Sequence, residues 1–353
     1  MATLDLEGVT LVKDGRRILD AVSLGAADGE MVALVGESGS GKTSILRVAA
    51  GLDKVTAGDI RIGGVSMRGR EPHARNVAMV FQSSVMYPFR DVEANVAFPL
   101  RLQGRSEEEI GLRVRAEGRA LHIAALLDRD PSQLSAGQQQ LVQMARAMVR
   151  SPDLFLLDEP LALVDAVQRR RLRAELRTVQ AGYGVTTLYA TNDPVEAMAM
   201  ADRIAVLASG RVAQMAEPLV VYRRPATRLV AEVMGEISVV PVEVAGDGHG
   251  YWLRRPGIEV RAWSGALAGR VGTTVDLGLR PEDITLSGHG VWTVVHVEVR
   301  GSHDAVDLVC GDAEIRALTA PGATHRGATA SVHVRAGVIF DPGTGAAIGG
   351  IEG

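Results

Sequence analysis

The sequence predicts an α/β fold with a mainly parallel sheet, followed by a small all-β domain, and two observations support this prediction. In the first two-thirds of the chain, short apolar runs of strand length alternate with longer helical patterns. That alternation is typical of a parallel sheet whose strands are connected by helices. Beyond about Ser238 the pattern changes to runs punctuated by glycine, which indicates an antiparallel domain. The predicted domains are residues 1–235 and 236–353.

The individual elements follow from the spacing of apolar residues. A helix is predicted from Glu107 to Leu127, because Ser106 and Glu109 stand at capping-box spacing at its start. Another is predicted from Gln138 to Arg150, where apolar residues share one face. The predicted strands of the first domain are Met31–Val35, Leu154–Leu157, Thr186–Tyr189 and Ile204–Leu207. The predicted strands of the second domain are Val239–Val244, Thr273–Leu279, Val291–Val299, Val306–Val309 and Ala330–Arg335.

Charge and composition exclude several classes of partner. With 38 basic and 42 acidic residues, the chain has a formal net charge of −4. It lacks the basic excess that nucleic acids and anionic lipids attract, so neither is predicted as a partner. The single cysteine, Cys310, cannot form an internal disulfide, and no signal-peptide pattern follows Met1, which together favour a cytosolic setting. No apolar run approaches the roughly 18 residues that cross a bilayer, so we expect a protein that lies beside a membrane if it serves one.

A glycine-rich segment between the first predicted strand and a helix predicted from Thr43 to Gly51 has the composition of a phosphate-binding loop. Glycines let backbone N–H groups point inward, and the helix N-terminus adds a partial positive charge that attracts an anion. Lys42 would neutralise the outer phosphates of ATP, and the Thr43 hydroxyl would help to coordinate Mg²⁺. A chance glycine-rich turn is the alternative, but it does not explain the flanking strand and helix. The predicted ATP-binding residues here are Gly36, Glu37, Ser38, Gly39, Ser40, Gly41, Lys42, Thr43 and Ser44.

Two adjacent acids follow the predicted strand Leu154–Leu157. Asp158 would act through Mg²⁺, which prefers oxygen ligands. Glu159 would be the general base for the attack of water on the γ-phosphate. Adjacent acids at a strand end are also common as solvated turn residues, so it is the phosphate loop earlier in the chain that favours the catalytic interpretation.

The segment between the loop and the acids resembles the signature motif of ABC ATPases. It reads Leu134-Ser135-Ala136-Gly137-Gln138 and lies at a predicted helix start. The resemblance implies that two copies of the chain pair head to tail. Ser135, Ala136, Gly137 and Gln138 of one copy would then cap the γ-phosphate bound by the other, again using a helix N-terminus. Ordinary helix capping explains Ser135 equally well, but it does not explain the order of the motifs along the chain.

Further positions match the same family. The resemblance places Gln82 where the family has a glutamine that meets Mg²⁺ or the attacking water and senses the membrane subunits. The implied metal ligands are therefore Thr43, Gln82 and Asp158. Asp165 falls where the family has an aspartate that communicates between paired sites, although an acid at a helix start is an ordinary alternative.

Narrower motifs resemble the branch of ABC ATPases that serves carbohydrate and glycerol-phosphate importers. These motifs are Met86-Tyr87-Pro88, Phe98-Pro99-Leu100, Tyr222-Arg223-Arg224-Pro225 and Gly278-Leu279-Arg280-Pro281-Glu282. The resemblance implies an ATP-hydrolysing motor at the cytoplasmic face of a membrane, paired with two permease subunits and served by an extracytoplasmic solute-binding protein. It also implies that the second domain is an OB-like regulatory module. The identity of the solute does not follow from this chain.

Three positions depart from the family pattern. Asn192 stands where members usually have a histidine that contacts the γ-phosphate, and its amide can donate only a neutral hydrogen bond, so slower hydrolysis is predicted. Lys13 replaces an aromatic residue that stacks on adenine, or is an ordinary loop lysine. Ala136 replaces the commoner glycine of the signature, which is tolerated if its φ is negative.

Two other functions stay open beside the motor of an importer, and the departures motivate the first of them. The first is a nucleotide-binding regulatory subunit with little turnover, against which the retained Glu159 argues. The second is a soluble ABC protein of DNA repair or translation. Such proteins are expected to carry long coiled-coil insertions or two cassettes, and this sequence has neither.

Overall fold

The computed structural model describes residues 2–83, 85–246, 249–262 and 264–352. The chain divides into two compact units, Met1–Pro218 and Leu219–Gly353. The first combines helices and strands, whereas the second is built mainly from antiparallel strands. Within the described residues, we find no helix with the length and apolar character needed to span a bilayer.

The strands of the first unit form two sheets. They are β1 (Leu4–Lys13), β2 (Arg16–Ala26), β3 (Met31–Val35), β4 (Ala57–Ile62), β5 (Val65–Ser66), β6 (Val77–Val80), β7 (Leu154–Asp158), β8 (Thr186–Thr191), β9 (Arg203–Ala208) and β10 (Arg211–Ala216). The larger sheet has the order β10-β9-β3-β8-β7-β6, in which only β10 is antiparallel to its neighbour. The smaller sheet, β2-β1-β4-β5, is antiparallel. The predicted mainly parallel sheet is therefore confirmed, and β3 has the predicted bounds.

The helices of the first unit cover both faces of the parallel sheet. They are α1 (Lys42–Ala50), α2 (Val92–Leu102), α3 (Glu107–Ala120), α4 (Ala136–Met148), α5 (Ala166–Tyr183) and α6 (Pro194–Met200). Helix α1 is buried between the two sheets, where Ile45 and Val48 pack with Leu34 of β3 and Leu6 of β1. Helices α2 to α5 pack against the other face of the parallel sheet in a separate core.

The prediction that a helix continues to Leu127 is wrong. Helix α3 ends at Ala120, because His122 adopts a φ of 55°, which is incompatible with a continuing right-handed helix. The capping residue is as predicted, since the Ser106 hydroxyl accepts a hydrogen bond from the Glu109 N–H at 3.2 Å. Periodicity alone did not reveal the end of the helix, because Leu121 and Ile123 are buried and continue the apolar pattern.

The second unit is a pair of antiparallel sheets with two short helices before them. Its elements are α7 (Pro218–Arg223), α8 (Arg228–Val233), β11 (Ser238–Gly246), β12 (Tyr251–Arg255), β13 (Ile258–Ala262), β14 (Thr274–Leu279), β15 (Ile284–Val299), β16 (Asp304–Cys310), β17 (Ala313–Thr319), β18 (Thr329–Val334), β19 (Ala336–Phe340) and β20 (Ala347–Glu352). The sheet orders are β13-β12-β11-β14-β19-β20 and β17-β16-β15-β18. A shared core that includes the fully buried Trp292 and Leu277 lies between them.

Helices α7 and α8 belong to the second unit because of their contacts within it. The Tyr222 hydroxyl donates to Glu282 Oε1 at 2.6 Å, and Arg223 forms an ion pair with Asp283 at 2.7 Å. The Arg280 guanidinium lies over the Tyr222 ring, 4.1 Å from its centroid. Two motifs that are far apart in sequence are thus in contact. The domain boundary that we predict near Gly235 lies inside this unit, just after α8.

Candidate functional site

Four loops meet at one edge of the parallel sheet. Strands β3, β8, β7 and β6 are adjacent and parallel, so the segments that follow their carboxyl ends lie side by side. Those segments begin with Gly36, Asn192, Glu159 and Phe81. The strand order therefore brings the phosphate loop and three other predicted site segments to a common edge.

The glycines of the loop after β3 are required by its geometry. Gly39 and Gly41 have φ values of 83° and 110°, which side chains rarely adopt. At Gly36 a Cβ atom would lie 2.4 Å from the carbonyl oxygen of Leu207. Gly41 is the N-cap of α1 and provides no side-chain cap, so the first N–H groups of this helix are open to an anion.

Lys42 is held inside this loop. Its ammonium donates to the carbonyl oxygens of Gly36 at 2.7 Å and Glu37 at 2.9 Å, and the residue is buried. Burial lowers the pKa of Lys42, and the nearby carboxylates of Glu159 and Asp158 partly offset that effect. The loop thus carries a fixed cation next to the two acids that follow β7.

Thr43 and Asp158 place two oxygen atoms side by side. The Thr43 hydroxyl donates to Asp158 Oδ1 at 3.0 Å. Burial raises the pKa of Asp158, while the hydrogen bond from Thr43 and the charge of Lys42 oppose that rise. A cation at this position would relieve the burial of the carboxylate and take oxygen ligands of the kind that Mg²⁺ prefers. Within the described residues, at this site as elsewhere, His, Cys, Asp and Glu side chains form no group of three that could hold a metal.

Glu159 is contacted by side chains from two neighbouring loops of the site. It has a φ of 45°, and its N–H donates to the carbonyl of Ala190 at 2.9 Å. Gln82 Nε2 donates to one carboxylate oxygen at 3.2 Å, and Asn192 Nδ2 donates to the other at 2.5 Å. The structure therefore brings together Gln82, Glu159 and Asn192, which were predicted from separate segments of sequence.

The signature segment and Asp165 are helix caps. Ser135 forms a complete capping box with Gln138 at the start of α4. Ala136 is the first helical residue and has a negative φ, so alanine is tolerated in place of glycine. Asp165 caps α5 by accepting hydrogen bonds from two backbone N–H groups. Over the described ranges, the hydrogen bonds of Ser135 and Asp165 stay within their own helix starts.

Gly137 is constrained by packing. A Cβ atom at this position would lie 2.9 Å from Gln168 Oε1 and 3.4 Å from a methyl group of Leu172. Both residues belong to α5, so the glycine lets α4 and α5 approach closely at their starts. The exposed face of the motif consists of Ser135 and Ala136.

The sequence predictions missed Glu196, which supports the loop of Asn192. This buried carboxylate accepts hydrogen bonds from the Tyr189 and Thr191 hydroxyls, each at 2.9 Å. The Thr191 hydroxyl in turn accepts a hydrogen bond from the Asp193 N–H at 3.0 Å. A signal was present in the sequence, since Glu196 lies in the first turn after the capping residue Asp193.

Lys13 has a defined partner. Its ammonium lies 2.6 Å from Asp53 Oδ2, and Arg47 of α1 binds the same carboxylate at 2.8 Å. The hydrogen bond from Arg47, followed by that from Lys13, lowers the pKa of Asp53. Lys13 thus connects the end of β1 to the end of the helix that follows the phosphate loop.

The segment after Gln82 exposes aromatic side chains. Phe89 is 98% exposed, while Tyr87 packs against Phe98 with 4.6 Å between ring centroids. The Arg146 guanidinium lies 5.3 Å from the centre of the Tyr87 ring. A cavity of about 290 Å³ lies beside Tyr87, Phe98, Arg146 and the edge strand β6. An exposed aromatic residue next to a cavity is the surface character expected of a protein contact.

A comparison with known protein families matches the part of the chain that contains the phosphate loop and Glu159. Residues 19–162 match a family model described as ABC transporter. That range extends from β2 through the phosphate loop and the signature segment to just beyond Glu159.

Similar proteins extend the match over most of the chain. All three of the following are called sn-glycerol-3-phosphate import ATP-binding protein UgpC. The one from Rhizobium meliloti is 41% identical over 289 residues, 82% of this chain and 80% of the relative. The one from Cupriavidus pinatubonensis is 40% identical over 336 residues, 92% and 86% of the two chains. The one from Salmonella typhimurium is 39% identical over 320 residues, 89% and 90% of the two chains.

Proposed function

The chain belongs to the ABC transporter family as an ATP-binding subunit of the importer type, and from this premise we propose that it drives uptake of sn-glycerol 3-phosphate or a related carbohydrate-type solute. It is an ATPase that acts as the motor subunit of an ABC importer. The observation that supports the choice of solute is the name shared by relatives that match both units of the chain.

In this proposal the segment from Gly36 to Ser44 binds the phosphates of ATP. The open N–H groups at the start of α1 and the fixed cation of Lys42 support that role. The Lys42 ammonium would exchange its loop carbonyl partners for the outer phosphates, which is a stronger, charge-assisted interaction.

Thr43, Asp158 and Gln82 are the proposed ligands of Mg²⁺. The contact of 3.0 Å between Thr43 Oγ1 and Asp158 Oδ1 fits an oxygen-ligated ion. When bound, the ion neutralises charge that develops on the phosphate oxygens. Gln82 provides an amide oxygen, because its nitrogen donates to Glu159.

Glu159 and Asn192 form the proposed hydrolytic pair. The Glu159 carboxylate would accept a proton from the water that attacks the γ-phosphate. Its position between two amides, next to Lys42, supports that role. The proton then resides on a carboxylate oxygen and leaves with solvent after phosphate release.

The remaining predictions concern assembly. We propose a head-to-tail pair of chains in which Ser135, Ala136, Gly137 and Gln138 meet the γ-phosphate bound by the second copy, with Asp165 linking the paired sites. The exposed start of α4 supports this arrangement, since its Ser135 and Ala136 are accessible. We place the pair on the cytoplasmic face of the membrane with two permeases, which would contact the exposed segment around Phe89, and with an external solute-binding protein.

The second domain, which we place at residues 236–353, is proposed to be an OB-like regulatory module. Its two antiparallel sheets around one core support this assignment.

Solute-dependent ATP hydrolysis tests the proposed function. The chain would be reconstituted in lipid vesicles with the permeases and binding protein encoded beside it, and phosphate release would be measured with and without sn-glycerol 3-phosphate. We expect the solute to stimulate turnover, and Glu159→Gln to abolish it. Stimulation by a different solute class alone would overturn the choice of solute, and equal turnover by the wild type and Glu159→Gln would overturn the assigned role of Glu159.

A further inference from the structure

Glu159 is held from both sides by side-chain amides. Its strand, β7, lies between β6 and β8, and each of these neighbours is followed by one amide donor. Gln82 follows β6 and donates to Oε2, while Asn192 follows β8 and donates to Oε1. The two carboxylate oxygens are thus occupied by donors from opposite directions, which fixes the plane of the carboxylate.

We propose that Asn192 is a positioning residue that acts through Glu159 and not through contact with the nucleotide. This rests on the proposed role of Glu159 as the base. The Asn192 side chain is short, and its N–H group is already directed at Glu159 Oε1 at 2.5 Å. An amide nitrogen in this bond orients the carboxylate without an ionic attraction, because the amide carries no charge.

The backbone that presents Asn192 is fixed from within the protein. The carbonyl of Ala190, two residues before Asn192, accepts a hydrogen bond from the Glu159 N–H. The segments that follow β7 and β8 are therefore joined by a backbone hydrogen bond as well as by side chains. Thr191 is tied to the buried Glu196, and its hydroxyl also accepts the Asp193 N–H. A residue held in this way directs its amide at Glu159 before any nucleotide is bound.

The same kind of bond occurs at the opposite edge of the sheet and offers a matched control. Asn76 Nδ2 donates to Asp153 Oδ2 at 3.0 Å, just before β6 and β7 begin. Asn76 has a φ of 45°, so Asn76→Gly removes the amide without backbone strain. This substitution deletes an asparagine–carboxylate bond that lies away from the phosphate loop.

The first measurement separates turnover from nucleotide binding. In the assembled transporter, kcat and KM for ATP would be measured for the wild type, Asn192→Ala, Asn192→His and Asn76→Gly. Loss of a hydrogen bond to a charged group predicts that Asn192→Ala lowers kcat by about 10- to 100-fold, with KM changed by less than about twofold. Asn192→His retains an N–H donor and should maintain or raise the wild-type kcat. Asn76→Gly should keep the wild-type kcat.

The second measurement shows through which group Asn192 acts. In the Glu159→Gln background, which we expect to bind ATP without hydrolysing it, equilibrium affinity for ATP would be compared with and without Asn192→Ala. We expect the two affinities to agree within about twofold, since the positioning role needs the carboxylate. An affinity about tenfold lower in the double variant, or an unchanged kcat for Asn192→Ala alone, would overturn the inference. Equal turnover by the wild type and Glu159→Gln would instead remove the proposed function on which it rests.

Discussion

Arg75 forms hydrogen bonds that link the end of α1, the helix after the phosphate loop, to the loop that follows β5. Only 8% of this arginine is exposed, and its guanidinium donates to four backbone carbonyls. It reaches Val48 at 2.8 Å and Ala49 at 3.1 Å in the last turn of α1. It also reaches Met67 and Arg70, each at 3.1 Å. We predict that Arg75→Ala destabilises the first unit more than any exposed arginine substitution.

The size of the effect follows from these bonds. A buried carbonyl that loses its donor costs about 1–3 kcal/mol. Val48 also accepts the Gly51 N–H and Met67 also accepts the Arg70 N–H, so the buried carbonyl most affected is that of Ala49. A cavity of about 280 Å³ lies beside Arg75 and gives water access to some of the others. Counting the carbonyl of Ala49 and the lost packing of the side chain, we expect the free energy of unfolding to fall by about 2–3 kcal/mol.

The two units can be followed separately in a chemical denaturation experiment. The three tryptophans of the sequence all lie beyond residue 219, so tryptophan fluorescence reports on the second unit. The long helices lie in the first unit, so circular dichroism at the helix band reports mainly on that unit. Arg75→Ala should shift the circular dichroism transition and leave the fluorescence transition in place.

Arg70→Ala is the matched control, because the Arg70 side chain is exposed and only its backbone carbonyl contacts Arg75. It should change stability by less than about 0.5 kcal/mol. A loss below about 1 kcal/mol for Arg75→Ala would refute the reasoning, because it would mean that solvent replaces the guanidinium at all four carbonyls.

Three further predictions concern other buried groups. Burial raises the pKa of Glu117 above its ordinary 4.5, although the Tyr183 hydroxyl donates to it. The difference in unfolding free energy between the wild type and Glu117→Gln should therefore favour the wild type most below pH 4.5 and decrease as the pH rises through the raised pKa. Parallel pH–stability curves for the two proteins would contradict this. Asn95 is fully buried, and its side chain forms hydrogen bonds with four backbone groups. Asn95→Ala should lower the melting temperature measured by circular dichroism by about 4–8 °C, and an unchanged melting temperature would contradict the role of the carboxamide. Gly36→Ala places a Cβ 2.4 Å from the Leu207 carbonyl and should weaken equilibrium ATP binding at least about tenfold, so retained affinity would contradict the constraint.

Local signals in the sequence were sufficient for much of the fold. The bounds of β3 follow from an apolar run between turn residues, and the starts of α3 and α4 follow from Ser106 and Ser135 as caps. The end of α3 did not follow, because buried Leu121 and Ile123 extend the apolar pattern past the turn at His122. A hydrophobic pattern records burial, and burial persists where a helix has stopped.

The sequence by itself determined the phosphate loop, because its requirements are local: glycines at positive φ, a lysine and a helix start within one short segment. Only the tertiary structure decided what surrounds Glu159. Gln82 and Asn192 reach it because β6 and β8 flank β7, and strand order depends on packing between segments far apart in the chain. For that reason Asn192, which in the sequence was a departure from the family pattern, is in the structure a defined partner of Glu159.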